Sequence, residues 1–213
     1  MLKTFTLLFV FLFLVSCGKS GSGGNKSTSG GQQAVLLEEI SVNNAVPTAA
    51  LHFNVNSHTS NFTATQDAKI LEASEMIKRV VASEEFKNAI LNFSYNGQSA
   101  FVDNKGLTNA QIYKIILEGA ETLTPQIDNE MDLDLEVYKD NTIVIGYTMP
   151  NVNKIWMNEK YFDSYNSSQV TVNMMHEWLH KLGFDHAQTA TPSRPYSVPY
   201  AIGYLMGQLA AKL

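Results

Sequence analysis

The sequence predicts an α+β domain in which helices come first, strands cluster after them and one apolar helix leads into a short tail. Two observations favour this class. Stretches with helical and with strand-like spacing of apolar residues occupy separate parts of the chain. The 213 residues are 45% hydrophobic and 16% charged, which suits one folded domain plus targeting or linker segments and excludes a disordered chain.

The first residues are typical of an export signal. Lys3 precedes an apolar run over residues 5–15, which is shorter than the roughly 20 residues of a membrane-spanning helix. Residues 14–17, Leu-Val-Ser-Cys, resemble the bacterial lipobox, in which the cysteine is acylated and becomes the mature N-terminus. We therefore predict a signal peptide over residues 1–16 and a lipid anchor on Cys17. An ordinary signal peptide that is cut elsewhere is the alternative.

Residues 17–33 predict a flexible tether, because after the cysteine they contain small and polar residues but no large apolar side chain. Residues 34–213 would then form the folded domain. Since Gly18, and not aspartate, follows the cysteine, the resemblance to lipoproteins implies export to the outer membrane of a bacterium that has one. The domain could face either the periplasm or the exterior. The net charge of −5 argues against general binding to nucleic acid.

Helices are predicted in the first half of the domain. Over residues 66–93 apolar residues recur at helical spacing, and Ser83 is placed to cap a second helix within this stretch. The positions that define the pattern are Ile70, Ala73, Ile77, Val80 and Val81. Thr108 and Gln111 have the spacing of a capping box, which predicts a helix from there to about Glu121.

Strands are predicted on both sides of that helix. Residues 51–56 alternate apolar and polar, as in a half-buried strand, and residues 100–102 indicate a short strand. Three further runs have strand character, residues 133–138, 142–147 and 154–158. Asp140 and Asn141 form a tight-turn signal between the first two of these runs, so we expect them to pair as a hairpin. Together the strands predict a mixed, twisted sheet.

The polar residues 166–168 can cap the helix that follows, residues 169–182. This helix is apolar over much of its surface, which predicts a central buried helix. Its apolar residues are Val170, Met174, Met175, Trp178, Leu179 and Leu182. Histidines and a carboxylate on such a helix would be costly to bury unless they are paired or bind a metal.

The segment from His176 to His186 fits the pattern H-E-x-x-H-x-x-G-x-x-H. His176 and His180 lie one turn apart on one helix face, so they can bind one ion together. Gly183 lets the chain leave the helix with positive φ, and His186 can then return as a third ligand. Three protein ligands leave a fourth position open, as a catalytic zinc requires. A helix with two surface histidines is the alternative for H-E-x-x-H alone.

Zinc chemistry predicts a role for Glu177. Bound zinc lowers the pKa of its water to near 7 and polarises a carbonyl group. Glu177 follows the first histidine and is rotated about 100° around the helix, so it can reach that water more easily than the metal. It can take the proton of the water and deliver it to the leaving amine. The predicted reaction is hydrolysis of a peptide bond without a covalent intermediate.

The same segment resembles the metzincin clan of zinc endopeptidases, whose motif is extended by this glycine and third histidine. The resemblance implies that His176, His180 and His186 bind Zn²⁺. It also implies that Glu177 is the general base and that the substrate is a protein or peptide. In this clan an antiparallel edge strand holds the substrate in extended form, and residues 142–147 are the candidate for that strand here.

Downstream of the motif the chain departs from the clan. Metzincins have a methionine in a tight turn beneath the metal, but Pro199 stands at the matching place in residues 197–200. Met206 is the only methionine after His186, and it lies in a helical pattern. Alternatively, residues 197–200 begin a helix, with Ser197 as its cap. Only 27 residues follow the motif, so the C-terminal subdomain must be very short.

Some metzincins place a tyrosine near the metal to bind the oxyanion. Tyr200, and after it Tyr196, are the candidates for this role, and aromatic packing is the alternative for each. The function predicted from the sequence is a lipid-anchored zinc endopeptidase. The alternatives are a surface-binding lipoprotein in which zinc only braces the fold, and a zinc amidase that acts on cell-wall peptides. Glu177 favours an enzyme, because a structural site has no use for a base.

Overall fold

The computed structural model describes residues 46–213. The predicted signal peptide, the lipid anchor on Cys17, the tether and the first residues of the predicted domain lie outside the described residues. Within the described part, four strands form one mixed sheet and seven α-helices accompany it, so the predicted α+β class is confirmed. None of these helices is both long and apolar enough to cross a membrane.

The elements follow one another in the order α1 (Thr48–Leu51), β1 (Asn54–Ser60), α2 (Ala64–Val81), α3 (Glu84–Leu91), α4 (Asn109–Glu118), β2 (Glu130–Tyr138), β3 (Gly146–Thr148), β4 (Lys154–Asn158), α5 (Glu159–Phe162), α6 (Ser167–Lys181) and α7 (Val198–Ala210). A short 3₁₀ turn, Arg194–Tyr196, comes directly before α7. The strand predicted at residues 100–102 is reduced to a single bridge between Val102 and Ser197.

Three helices begin where the sequence places a capping side chain. The hydroxyl of Ser83 accepts a hydrogen bond from the backbone N–H of Phe86 at the start of α3. At α4 and α6 the capping residues are Thr108 and Asn166, and each forms a reciprocal capping box with the residue three positions later. These bonds satisfy backbone N–H groups that the first turn of a helix leaves unpaired, which is why the starts could be predicted.

The strand order in the sheet is β1-β2-β4-β3. β1, β2 and β4 are parallel, and β3 is antiparallel to β4 at one edge. The predicted hairpin between residues 133–138 and 142–147 is therefore wrong, because β4 lies between β2 and β3. The hairpin that does form joins β3 to β4, and Asn151 in its loop adopts a left-handed conformation at φ 60°. β3 is an antiparallel edge strand, but it includes only residues 146 and 147 of the expected run 142–147.

The sheet has one apolar and one polar face. Along β2, buried apolar residues alternate with half-buried polar ones. The buried set is Met131, Leu133, Leu135 and Val137. This face joins a single core with side chains of α2, α3, α4, α6 and α7.

The helix α6 is buried in the centre of the domain, as predicted, and it packs against both α2 and α7. Trp178 on this helix is completely buried. α7 comes very close to α6 at Gly203, where a Cβ atom would lie 3.1 Å from the carbonyl oxygen of Val172 and 3.3 Å from Cβ of His176. The close approach places the first turn of α7 beside the histidine motif.

Candidate metal centre

The three histidines of the motif come together at the C-terminal end of α6. His176 and His180 lie one turn apart on the same face of the helix. Gly183 then adopts φ 91°, which confirms the predicted positive φ and would strain any other residue. The turn after Gly183 brings His186 back to the first two histidines.

Their ring nitrogens are close enough to hold one metal ion. One ligand atom of each histidine lies within 4.8 Å of those of the other two. The Nε2 atoms of His176 and His186 are 3.3 Å apart. Two nitrogens bound at 2.0–2.1 Å to one tetrahedral ion would be about 3.3–3.4 Å apart, so the spacing of this pair fits a tetrahedral metal ion. Within residues 46–213 no second group of three His, Cys, Asp or Glu side chains meets the same condition.

Each of the three rings hydrogen-bonds to a backbone carbonyl group. In His180 and His186 the bonded atom is Nδ1, at 2.7 Å and 3.0 Å from the carbonyl oxygen. A carbonyl can only accept, so Nδ1 carries the proton and Nε2 is left to bind a metal. Around metal ions, histidines are oriented in this way. The pairs are His176 with Pro199, His180 with Phe184, and His186 with Ala187.

Two of the histidines are kept uncharged by their surroundings. His176 is 4% exposed and His186 is 7% exposed. Burial, followed by repulsion from His180, holds the pKa of His176 well below its usual range and lowers the pKa of His186 to about 4. Both rings are therefore neutral at pH 7, which is the protonation state that binds a metal.

His180 has a different environment, and it is the least buried of the three histidines. Burial alone would lower its pKa, but the nearby carboxylate of Asp185 and the negative charge of Glu177 raise it overall. Oδ1 of Asp185 lies 3.8 Å from Nδ1 of His180, beyond hydrogen-bond distance, and the closeness of this histidine is the main cause of the lowered pKa of Asp185. Because the side chain of His180 is 15% exposed, the candidate site reaches solvent on this side.

Glu177 places a buried carboxylate beside the histidines. It follows His176 on α6 and is 1% exposed. Its charge is close enough to His180 to raise the pKa of that ring. A carboxylate next to a metal site, and not among the ligands, can take up and release a proton there.

Of the two candidate tyrosines, Tyr200 packs against the histidines and Tyr196 packs elsewhere. The ring centre of Tyr200 lies 4.5 Å from that of His176 and 4.7 Å from that of His186. Tyr196 stacks on Tyr95, with 4.3 Å between the ring centres. Tyr200 is thus placed to support two of the candidate ligands.

Residues 197–200 begin a helix, which is the alternative that the sequence offered to a turn beneath the metal. α7 begins directly after Ser197 and has Pro199 in its first turn. The hydroxyl of Ser197 does not cap the helix and instead donates to the carbonyl of Arg194 at 2.8 Å. Met206 is completely buried within α7. Tyr200, in the first turn of α7, is the side chain that packs on His176 and His186.

Arg194 is a residue near the site that the sequence did not reveal. It is 6% exposed, and its guanidinium carbon lies 4.9 Å from the ring centre of Tyr200. Its positive charge contributes to the low pKa of His176 and of His186. Arg194 belongs to the 3₁₀ turn after the motif, and no spacing rule connects that turn with the histidines.

Compared with models of protein families, with curated proteins and with solved structures, the chain gives no match. The geometry by itself establishes a site in which three histidines are close enough to hold a metal ion.

Proposed function

We propose that this protein is a zinc-dependent endopeptidase with a metzincin-like zincin domain, in which His176, His180 and His186 bind the zinc. The observation that carries the proposal is the convergence of three histidine rings, each oriented by a backbone carbonyl, beside a buried carboxylate. Structural zinc sites almost always have four protein ligands, whereas catalytic sites have three. The three donors found here favour the catalytic kind.

The roles of the residues follow from their positions. Zinc held at this site would supply Lewis-acid activation of a water molecule and of the scissile carbonyl group. Glu177 accepts a proton from the attacking water at its carboxylate and delivers it to the nitrogen of the leaving amine. The peptide C–N bond is thereby replaced by a C–O bond and an N–H bond, with no covalent intermediate. Tyr200 keeps the rings of His176 and His186 in place by packing against them.

We also propose that β3 binds the substrate. It lies at the edge of the sheet, so its outward backbone groups can pair with an extended peptide. It packs against α6, which carries two of the ligands. With three residues β3 spans about 10 Å, so it can pair with about three substrate residues. Flexible polypeptide segments, and not a long specific sequence, are therefore the substrate class that we propose.

The decisive experiment compares the full-length wild type with Glu177→Gln. Zinc is quantified in both after dialysis, and the cleavage of an unstructured protein is followed by mass spectrometry. We expect about one zinc per chain in both proteins. Cleavage should fall by about 10²–10⁴-fold in the variant, because glutamine cannot take up the proton. The matched control is Glu75→Gln on the exposed surface of α2, which should cleave like the wild type.

The possible outcomes separate the alternatives. A zinc-bound wild type that cleaves nothing in a broad set of peptides and proteins would favour a binding protein that zinc only braces. Equal cleavage by wild type and Glu177→Gln would exclude Glu177 as the base. Cleavage limited to cell-wall peptides would assign the same residues to an amidase.

The proposed location rests on residues 1–33 of the sequence alone. A lipid on Cys17 would hold the domain at a bacterial membrane through the tether, outside the cytoplasm. Replacing Cys17 by serine should abolish lipid labelling of the protein. Labelling that persists in Cys17→Ser would contradict the proposal that the lipid is attached to Cys17.

A further inference from the structure

Two buried polar side chains of α6 contact the edge of the sheet. We propose that Asn173 and Lys181 hold the edge hairpin, residues 146–158 (β3, β4 and the loop between them), at a fixed position relative to the zinc ligands. They are then positioning residues for substrate binding. The inference rests on the proposed function, because it takes the edge hairpin as the element that binds the substrate.

Lys181 is bonded to the loop of the edge hairpin. It is 6% exposed, and its ammonium group donates to the carbonyl oxygens of Val152 and of Lys154, the latter at 3.2 Å. The carbonyl of Lys154 also accepts from the hydroxyl of Thr148 at 3.1 Å, which ties β3 to β4 at the same point. A buried ammonium group is costly unless it donates its protons, so these bonds restrict where the loop can lie.

Asn173 contacts the edge hairpin at β3. It is 7% exposed, and its amide fills the space that a side chain at position 146 would need. A Cβ atom on Gly146 would lie 2.6 Å from Nδ2 and 2.7 Å from Oδ1 of Asn173. Helix and strand can therefore be this close because residue 146 is glycine. Asn173 lies one turn before Glu177, on the same face of α6.

The two contacts lie on either side of the proposed reacting groups. Along α6 the order is Asn173, His176, Glu177, His180 and Lys181. This part of the helix is about 12 Å long and acts as a rigid spacer. A hairpin that these contacts no longer hold would occupy its pairing position for a smaller fraction of the time, and the apparent affinity for a paired peptide falls by that fraction.

The first test replaces Lys181 by methionine, which keeps a long apolar side chain but removes the charge and the donors. In the full-length zinc-bound protein we expect unchanged zinc content and about tenfold faster hydrogen exchange at the amides of the edge hairpin. KM for an unstructured polypeptide should rise by about tenfold, with kcat changed by less than about threefold. Lys160→Met, at an exposed position of α5, is the matched control and should change none of these values.

The second test is a double-mutant cycle across the contact between α6 and β3. Gly146→Ala should raise KM and hairpin exchange, because its methyl group overlaps with Asn173. In the double variant Gly146→Ala/Asn173→Ala the methyl group occupies the space that the amide has left. KM and exchange should then move back from the values of Gly146→Ala towards those of the wild type, which single-residue effects that add independently cannot do. Recovery should stay incomplete, because the methyl group still lies 3.0 Å from the carbonyl oxygen of Trp156.

Unchanged exchange and KM in Lys181→Met would overturn the inference, as would a double variant that is no better than Gly146→Ala. Loss of zinc in Lys181→Met would assign the residue to the metal site and also count against it. A wild type that cleaves nothing would count against the proposed function alone. Hydrogen exchange is measured without substrate, so it still decides whether Asn173 and Lys181 hold the edge hairpin.

Discussion

Among single residues, a buried carboxylate supports the helix that carries the site. Trp178, which lies between two candidate ligands on α6, donates from its indole nitrogen to Glu121 at 2.6 Å. The same carboxylate accepts from the backbone N–H of Asp132 and from the hydroxyl of Thr124, both at 3.1 Å. Glu121 is 5% exposed, and burial raises its pKa although these hydrogen bonds oppose the shift.

The raised pKa predicts how Glu121 affects stability as the pH changes. Its folded-state pKa lies above the unfolded value of about 4.3, so its contribution is most favourable below the unfolded pKa and is lost as the pH rises through the folded pKa. The wild type should therefore gain stability relative to Glu121→Gln as the pH is lowered from 7 towards 4. Urea unfolding at several pH values measures this difference.

The control for this prediction is Glu75→Gln, because the side chain of Glu75 is 67% exposed. This variant should not show the change in stability with pH that is expected for Glu121→Gln. A stability difference between wild type and Glu121→Gln that stays constant from pH 4 to pH 7 would contradict the expected role of burial.

Between elements, the contact of α6 with α7 depends on two glycines one turn apart. A Cβ atom at Gly207 would overlap with Cγ2 of Val172, and one at Gly203 would press against the carbonyl oxygen of Val172. The small residues let α7 lie close to α6, and this brings Tyr200, in the first turn of α7, onto His176.

We expect Gly207→Ala to lower the free energy of unfolding by up to about 2 kcal/mol. Overpacking costs about 1–3 kcal/mol and outweighs the gain of about 1 kcal/mol in helix propensity. In the Val172→Ala background the short contact is gone, so the same substitution should be neutral or stabilising. Urea unfolding of the four proteins tests the prediction, and an equal loss in both backgrounds would refute it.

The pairing of the strands cannot be predicted from local turn signals. Asp140 and Asn141 have the composition of a tight turn, but they lie in a loop of seven residues, 139–145. Within this loop the carbonyl of Ile145 accepts from the backbone N–H of Asn158 at 2.8 Å, so the chain already runs along β4. β2 is covered on both sides by parallel neighbours, so β3 joins the sheet through β4 and not through β2.

In the molecule as a whole, a bound metal would connect three separate parts of the chain. α6 provides His176 and His180, the turn after it provides His186, and the ring of His176 is bonded to the backbone of α7 at Pro199. The only cysteine is Cys17, so no disulfide can form within residues 46–213. The metal is therefore the cross-link that we expect to stabilise the domain.

Zinc should raise the free energy of unfolding by about 2.7 kcal/mol when its free concentration is 100 times its Kd, because only the folded state has the assembled site. Thermal unfolding with zinc and with a chelator measures the increment. His180→Ala should lose the increment, whereas His52→Ala, in an exposed position, should keep it. An equal increment in wild type and His180→Ala would place the stabilising zinc elsewhere.

Much of this protein follows from patterns that are local in the chain. Three helix starts depend on a side chain and a backbone N–H group three residues apart, and the two histidines of α6 meet because they are four residues apart. Gly183 supplies the turn that returns His186. Interactions over such short distances are formed within one or two helical turns, so the residues 166–186 contain the information for the cluster of three histidines.

Only the tertiary structure decided the strand order, the tyrosine at the site and the partners of α6. Trp178 and Glu121 are 57 residues apart in the chain. The sequence ranks Tyr200 before Tyr196 but places neither ring, and the packing of α7 on α6 brings Tyr200 to the histidines. Arg194 and Lys181 are ordinary basic residues until the fold buries them. Such contacts form because the whole core is buried together. The free energy of that burial depends on residues that are far apart in the chain, so no short stretch of sequence predicts it.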